Sequence, residues 1–436
     1  MDLMLPRLIA LRDSEDEAAI AGAEYRHSTR LSGVGVSLKD DAKALGMGVS
    51  VKSDADMLNM GVTVKVGANE LGMGVIDSTG SAHVVMSSQD KVIVGYWLVR
   101  AALNVALSRG ANKNKLLRGT GIFEDALQHH SLLSTKQYSS LLVNVQSQAR
   151  GGDVSFLLGG ALASQLPSSP LNALKACENV EQLLLQLTQR QTYRWCSLPL
   201  CQFQRFENAG QIMLVPQFTG VNSKQLQFSI EVAFASVVAL MKSIANKRIR
   251  LSFTFTESRP RNIADYETHL GLKLSFNRAF NSICIEKDVL RQPLELTAQS
   301  VCSAESHVSL ESVVSNSATQ TKEGASIELQ NRLSLPDFVR RYVYASSNTQ
   351  AANIGLPELA ETLNVSVATL KRKLKEYGTS YRALCEEVQR NHALLLLSVH
   401  KVSNETAANA MGINDLPNFR RTVKRLTGKT PSELRI

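Results

Sequence analysis

The last quarter of this 436-residue chain writes one pattern twice: a short stretch with one apolar face, a polar turn, a side chain able to cap a helix, a second short stretch rich in Lys and Arg, and then glycine. Stretches this short are marginal as isolated helices, so each must bury its apolar face against its neighbour. In the first unit the spacing predicts a helix over Leu356–Leu363, with Leu356, Leu359, Ala360 and Leu363 inward. Asn364-Val365 makes the turn, and Ser366 is placed to accept from the free amides of a second helix over Val367–Tyr377. There Val367, Leu370 and Leu374 face inward, and Gly378 suits the left-handed stop. The second unit follows suit. Ser403 caps Asn404–Met411, which ends at Gly412, and Asn414 or Asp415 caps Leu416–Leu426, with Phe419, Val423 and Leu426 inward. Gly428 ends that helix, and Pro431 opens a last turn through Leu434. Between the units, Tyr381–Ser398, capped by Thr379 or Ser380, gives a rod of roughly 27 Å at about 1.5 Å per residue.

Charge follows the same pattern. The whole chain carries a formal +9, and residues 333–436 hold 15 Lys and Arg against 9 Asp and Glu, a net of +6. The open face of the first unit's second helix presents Ala368, Lys371, Arg372 and Lys375; that of the second unit presents Asn418, Arg420, Arg421 and Lys424. Phosphate contact needs Lys and Arg, whereas base readout needs a fork or an amide at a groove edge, as when Arg meets guanine or Asn meets adenine. The expectation is an all-α domain of two helix-turn-helix units reading double-stranded promoter DNA, the second helix of each entering a major groove. Held on such a rod, the two helices could reach successive grooves about 34 Å apart.

The rest of the chain divides by composition. Residues 1–92 contain a 13-residue glycine-rich repeat at Gly33-Val34-Gly35-Val36, Gly46-Met47-Gly48-Val49, Asn59-Met60-Gly61-Val62 and Gly72-Met73-Gly74-Val75. Each copy alternates like a short strand, and such repeats bury apolar surface only by stacking on neighbours. They read either as a sheet-forming module for self-association or partner capture, or as a tandem duplication laid along the next domain. Residues 93–302 read as an α+β domain. A helix is expected over Ile93 to Arg109, strands over Arg194–Phe206 and Gln211–Phe218 joined by Asn208-Ala209-Gly210, and a one-faced apolar helix over Gln225–Asn246 capped by Asn222 or Ser223. Further strands are expected at Arg250–Phe255 and Ile283–Glu286. Residues 303–332, rich in Ser, Thr, Gln and Glu, read as a linker to residues 333–436.

No glycine-rich phosphate loop, nucleophile elbow or paired-carboxylate motif marks an enzyme, so no catalytic residue is assigned. The eight histidines show no metal spacing, and His129 and His130 are adjacent, so no metal or cofactor is expected. The six cysteines contain no Cys-x-x-Cys pair and read as reduced thiols, with Cys196 and Cys201 the one candidate redox pair. No run of about 18 uninterrupted apolar residues suggests a membrane span, and the start of the chain lacks the basic region of a signal peptide. A cytoplasmic protein without membrane contact is expected.

Residues 356–436 resemble the double helix-turn-helix domain of AraC/XylS-type transcription regulators. The matching residues are Leu359-Ala360, Ser366, Thr369-Leu370, Arg372, Leu374, Gly378-Thr379-Ser380, Tyr381, Val388, Ala393, Leu396-Leu397, Gly412, Phe419, Arg421, Lys424-Arg425, Gly428 and Pro431-Ser432. The resemblance implies base contacts at Ala368, Lys371, Arg372, Asn418, Arg420 and Arg421, and phosphate contacts at Ser366, Thr369 and Lys424. Ala407-Ala408, Ile413, Val423 and Gln389 depart from the family pattern, so the second unit is expected to have a lighter core. Residues 93–302 more weakly resemble the arabinose-binding-like sensing domain of one AraC subfamily, through Tyr266, Leu270-Gly271-Leu272, Leu274, Phe276-Asn277, Ile283, Ile285, Leu290 and Pro293-Leu294. That resemblance implies a small-molecule effector of unstated identity. It suggests an activator, and leaves RNA polymerase and a homodimer open as partners. A competing reading makes the middle domain a protein-interaction or oligomerisation module with no metabolite. An enzyme fused to a DNA-binding domain finds no supporting motif.

Overall fold

At the centre of the middle region two apolar helices cross so closely that only glycine fits between them. A computed structural model describes residues 48–49, 63–65, 73–76, 82–123, 132–189, 198–294, 332–347 and 355–435. The first repeat copy at Gly33, most of the linker 303–332, His129, His130, Cys196 and Cys302 lie outside the described residues.

Strands β1 (Gly48–Val49), β2 (Thr63–Lys65) and β3 (Met73–Ile76) fall on the later repeat copies and run antiparallel to one another and to β4 (Ala82–Met86). Strand β4 also pairs in parallel with β12 (Arg332–Ser334). Its Val85 is buried among Leu333, Phe338, Leu359, Leu370 and Tyr377. The last strand of the N-terminal segment thus shares a core with the first C-terminal helix pair.

The middle region opens with β5 (Lys91–Val94), α1 (Tyr96–Ser108), α2 (Lys113–Leu117) and β6 (Leu132–Ser134), followed by α3 (Thr135–Gln148), α4 (Val154–Ser164), α5 (Ser168–Lys175) and α6 (Val180–Gln189). It continues through β7 (Cys201–Glu207), β8 (Gln211–Phe218), α7 (Leu226–Ala245), β9 (Ser252–Thr254), α8 (Ile263–His269), β10 (Leu274–Ser275), β11 (Ser282–Glu286) and α9 (Lys287–Leu290). Three sequence expectations change here. Ile93 belongs to a strand, not a helix: the β-branched run Val92-Ile93-Val94 pairs with β6, and the helix starts only after Gly95. Strand β7 begins at Cys201 rather than near Arg194, because Leu198–Leu200 forms a turn, and residues 190–197 are not described. Helix α7 has Gln225 as its N-cap with no side-chain bond. Asn222 instead accepts from the Gln225 amide at 3.1 Å, capping the turn before it.

The sheet runs β10-β9-β11-β8-β7, antiparallel except for β10 with β9. Asn208 Oδ1 closes the β7–β8 hairpin by accepting from the amides of Gly210 and Gln211, both at 2.9 Å. Alternation along β8 sends Ile212 and Leu214 into the main core and Met213 and Val215 to the other face. That second face is dry as well: Phe206, Met213, Val215 and Cys284 cluster with Val399 of the C-terminal region.

Helix α7 is more buried than a single apolar face requires. Every residue from Phe228 to Val237 is buried, including Ser229, Glu231 and Ser236. Its 20 residues and window hydropathy of 1.7 would suit a membrane span, which a search for uninterrupted apolar runs passes over, yet 72% of that window is buried within the protein. Helix α4 packs along it at Gly159. A Cβ there would lie 2.4 Å from the Val232 carbonyl oxygen and 2.8 Å from the Ser236 amide, both backbone atoms that cannot swing aside. Gly159→Ala should therefore destabilise the protein by about 1–3 kcal/mol through overpacking. Gly160→Ala, which meets nothing within 4 Å, should be neutral or stabilising by up to about 1 kcal/mol. Denaturant midpoints of the two variants check this ordering.

Candidate nucleic-acid interface

After β12 come α10 (Leu335–Ser347), α11 (Leu356–Thr362), α12 (Val367–Glu376) and α13 (Tyr381–Leu394), the last continuing as a π-helical turn over Leu395–Val399. Then follow α14 (Asn404–Ala410), α15 (Leu416–Thr427) and α16 (Pro431–Leu434). Local chemistry sets each boundary. Asn364 takes φ 50°, the left-handed turn between α11 and α12, and the Ser366 hydroxyl accepts from the Thr369 amide at 3.1 Å. Leu370 and Leu374 are buried against Leu359, Ala360 and Leu363, which fixes the roll of α12. Gly378, at φ 73°, ends the unit, and Ser380, not Thr379, caps α13 by accepting from Ala383 at 3.2 Å.

The second pair repeats these devices. Ser403 accepts from the Thr406 amide at 3.1 Å, and Asp415, not Asn414, accepts from Asn418 at 3.0 Å. Phe419 and Val423 are fully buried against Ala407 and Ala408, while Leu426 is half-buried. Gly412 and Gly428 stand at φ 67° and 74°. The small residues of this core leave space that Ala279 and Phe280 of the middle region help to fill.

Rolled this way, α12 exposes Ala368, Lys371, Arg372 and Lys375, and α15 exposes Asn418, Arg420, Arg421 and Lys424. Ser366 is exposed at the start of α12 and Thr369 is half-buried beside it. Arg372 pairs with Glu376 at 2.8 Å on the open surface, a contact worth about 0–1 kcal/mol that a phosphate or a guanine edge can displace. Glu376 also accepts from Ser88 at 3.3 Å, and the Tyr377 hydroxyl donates to the Met86 carbonyl at 2.8 Å, so the turn after β4 rests on the end of α12. Glu386 on α13 accepts from Arg382 and from Arg425 of α15, both at 3.2 Å. The Arg382 bond, with Arg425 adding to it, holds its carboxyl below the ordinary range.

Sequence reasoning missed the join behind this surface. Arg340 on α10 is 7% exposed, Asp337 3% and Thr219 2%. Arg340 donates to Asp337 at 2.9 Å, to Glu387 of α13 at 3.0 and 3.1 Å, to the Thr219 hydroxyl at 3.4 Å and to the Phe218 carbonyl at 2.7 Å. Thr219 in turn donates to Asp337 at 3.2 Å, and Ser334 also bonds Asp337. Burial alone would lower the Arg340 guanidinium; Glu387 and Asp337 reverse that and hold it above its ordinary value. Farther along, Asn391 donates to Gln204 at 3.2 Å and Lys429 to the Asn277 carbonyl at 2.6 Å.

Two capped helix pairs that expose basic second helices, joined to a separate α+β domain, define a two-part regulator. Comparison with known proteins agrees. A model described as a helix-turn-helix domain matches residues 359–436, and one described as the N-terminal arabinose-binding domain of AraC transcription regulator matches residues 110–294. The chain belongs to the AraC family of transcription regulators. The ornithine utilization regulator of Pseudomonas aeruginosa is 35% identical over 80 residues, 18% of this chain and 24% of that protein. The regulator GadX of Escherichia coli is 32% identical over 98 residues, 22% of this chain and 36% of that protein. The matched segment therefore spans only 24–36% of these curated relatives. The solved structure of transcriptional regulator CdpR from Pseudomonas aeruginosa is 14% identical with a TM-score of 0.35, covering 77% of this chain and 96% of that one.

Removing one partner from a buried ion cluster strands the rest, at about 3–5 kcal/mol. Arg340→Met should lower unfolding free energy by about that much, and Arg340→Met with Asp337→Leu should recover part of it. An unchanged denaturant midpoint for Arg340→Met would mean that the cluster does not hold the two regions together. Ser366→Ala, which removes only a cap, should cost about 1 kcal/mol in the same assay.

Proposed function

We propose that this chain is a sequence-specific regulator that binds double-stranded promoter DNA with both helix pairs acting as helix-turn-helix units, under the control of a small-molecule effector held by the middle domain. The observation that carries the reading is the shared construction of α12 and α15. Each follows a short helix, starts at a side-chain cap, buries two apolar residues one turn apart, and exposes Arg and Lys on the opposite face. In that arrangement Arg372 and Arg421 are the base readers, with Lys371, Arg420 and Asn418 beside them. Ser366, Thr369, Lys375 and Lys424 meet phosphate. As functional units, residues 93–302 hold the effector, residues 303–332 connect, and residues 333–436 read DNA. Control requires the effector to bind one of two arrangements of these units better than the other.

An operator selected from random duplexes gives the test. Arg372→Ala and Arg421→Ala should each weaken binding by about 1–3 kcal/mol and relax preference at one base position. Lys424→Ala should weaken all sequences alike and shallow the dependence of log affinity on log salt by about one unit. If Arg372→Ala changed neither affinity nor base preference, α12 would not be a recognition helix.

A further inference from the structure

Two loops of the middle region, residues 255–262 before α8 and residues 276–281 before β11, are laced together beside the end of α15. The Asn277 amide donates to the Glu257 carbonyl and the Arg278 amide to the Phe255 carbonyl, both at 2.9 Å. Asn281 accepts from the Thr256 amide at 3.0 Å, and the Phe276 ring stacks on Phe255 at 5.1 Å. On this fixed backbone Ala279 and Phe280 turn into the core of the second helix pair, while Arg278 stays exposed, as do Arg259 and Arg261 on the neighbouring loop. None of these three guanidinium groups has a hydrogen bond or an ion pair among the described residues. By contrast, Arg250 pairs with Asp288, and Arg205 with Glu181 and Glu207.

The patch continues onto the second helix pair. Lys429, just past the glycine that ends α15, donates to the Asn277 carbonyl at 2.6 Å, next to Arg278 in the chain. Lys424, on the exposed face of α15, lies near the same place: the Glu433 carboxyl is held below its ordinary range first by the Thr430 amide and hydroxyl, with Lys424 and Lys429 both adding to it. Arg259, Arg261, Arg278, Lys424 and Lys429 thus stand against Glu257, Asp265 and Glu433. Two of those carboxylates are already engaged, Asp265 by Asn262 and Glu433 by Thr430.

We infer that Arg278, with Arg259 and Arg261, meets the phosphate backbone of duplex DNA just beyond the base pairs read by α15. The inference rests on the proposed reading of DNA by α15 and extends the contact to the middle domain. Duplex DNA carries one negative charge per about 1.7 Å of axis, so it offers further phosphates to a basic patch that begins on a recognition helix. Arginine suits the task, because its planar fork bonds two phosphate oxygens at once. These three arginines give up no ion pair with the described residues when they bind. No base is read, since phosphate contact carries no sequence information. Such a contact places part of the middle domain on the DNA itself, so a movement of the loop at residues 276–281 changes affinity without disturbing α12.

The test uses the full chain and two duplexes carrying the selected operator. One ends at the base pairs that α15 reads, located by the preference that Arg421→Ala relaxes; the other is extended there by about 10 base pairs, one helical turn. The unaltered protein should bind the extended duplex on the order of tenfold more tightly at low salt. Arg259→Ala, Arg261→Ala and Arg278→Ala combined should abolish that difference and leave base preference unchanged. On the extended duplex the same variant should shallow the dependence of log affinity on log salt by about two to three units. Its melting temperature should not move, because these side chains bond nothing among the described residues. Glu257→Gln, which removes a carboxylate from the patch, should tighten binding to the extended duplex only. A triple variant that binds the extended duplex with unaltered affinity and salt slope, or that weakens on both duplexes equally, overturns the contact. Arg421→Ala separates the two levels. If it weakens both duplexes while the triple variant weakens neither, the patch alone is wrong; if it weakens neither, reading by α15 fails and the patch with it.

Discussion

A guanidinium cannot be left dry without partners, and in this protein Arg340 finds them on both sides of a domain boundary. Asp337 and Glu387 come from the C-terminal helices, while Thr219 and the Phe218 carbonyl come from the end of β8. Separating the two regions would leave Arg340 with Asp337 and Glu387 but take away the Phe218 carbonyl and the Thr219 hydroxyl, so two neutral partners of a buried guanidinium are what hold it to the middle region. Much else depends on that orientation. With α10 and α13 held there, the π-helical turn after α13 lies against the second face of the sheet, and Val399 seals Phe206, Met213, Val215 and Cys284.

The same docking explains how the second helix pair manages with small core residues. Ala407, Ala408 and Val423 fill little volume, and a pair built from them alone would bury less apolar surface than its partner. Phe280 and Ala279 reach in from the loop before β11, and Lys429 fastens that loop through the Asn277 carbonyl. The departures from the family pattern in this unit are thus matched by a side chain from another domain. The second unit depends on the middle domain in a way the first does not. The first is closed instead by Val85 of β4 and by the Tyr377 bond to Met86.

What the residues disclosed and what they hid divide along one line. Caps, glycine stops and helical spacing act within a few residues, so both C-terminal helix pairs and their exposed faces were legible: Ser366, Gly378, Asp415 and Gly428 each do what the spacing predicts. The β7–β8 hairpin was legible for the same reason, since Asn208 bonds amides two and three residues away. Contacts across long stretches of chain carry no such signal. Nothing near Arg340 marks it as buried; its partners lie at Asp337, Glu387 and, some 120 residues earlier, Thr219. Only the start of the helix predicted from Ile93 became a strand, because its partner β6 lies about 40 residues on; the helix itself runs Tyr96–Ser108. One clue was available: Ile212-Met213-Leu214-Val215 is apolar without alternation, the mark of a strand covered on both faces.

Magnitudes constrain how such a protein can switch. The Arg372–Glu376 pair is exposed and worth at most about 1 kcal/mol, so little holds that arginine in place. The Arg340 cluster is of another order, about 3–5 kcal/mol for the loss of one partner. Undocking the two regions would leave the ion pairs of that cluster in place, because Arg340, Asp337 and Glu387 all belong to the C-terminal helices. Rotating the Phe218 carbonyl likewise loosens one of the bonds to Arg340 and leaves those to Asp337 and Glu387 in place. A displacement at the end of β8 therefore reaches α10 and α13 through the Phe218 and Thr219 bonds, at a cost well below that of breaking the ion pairs of Arg340.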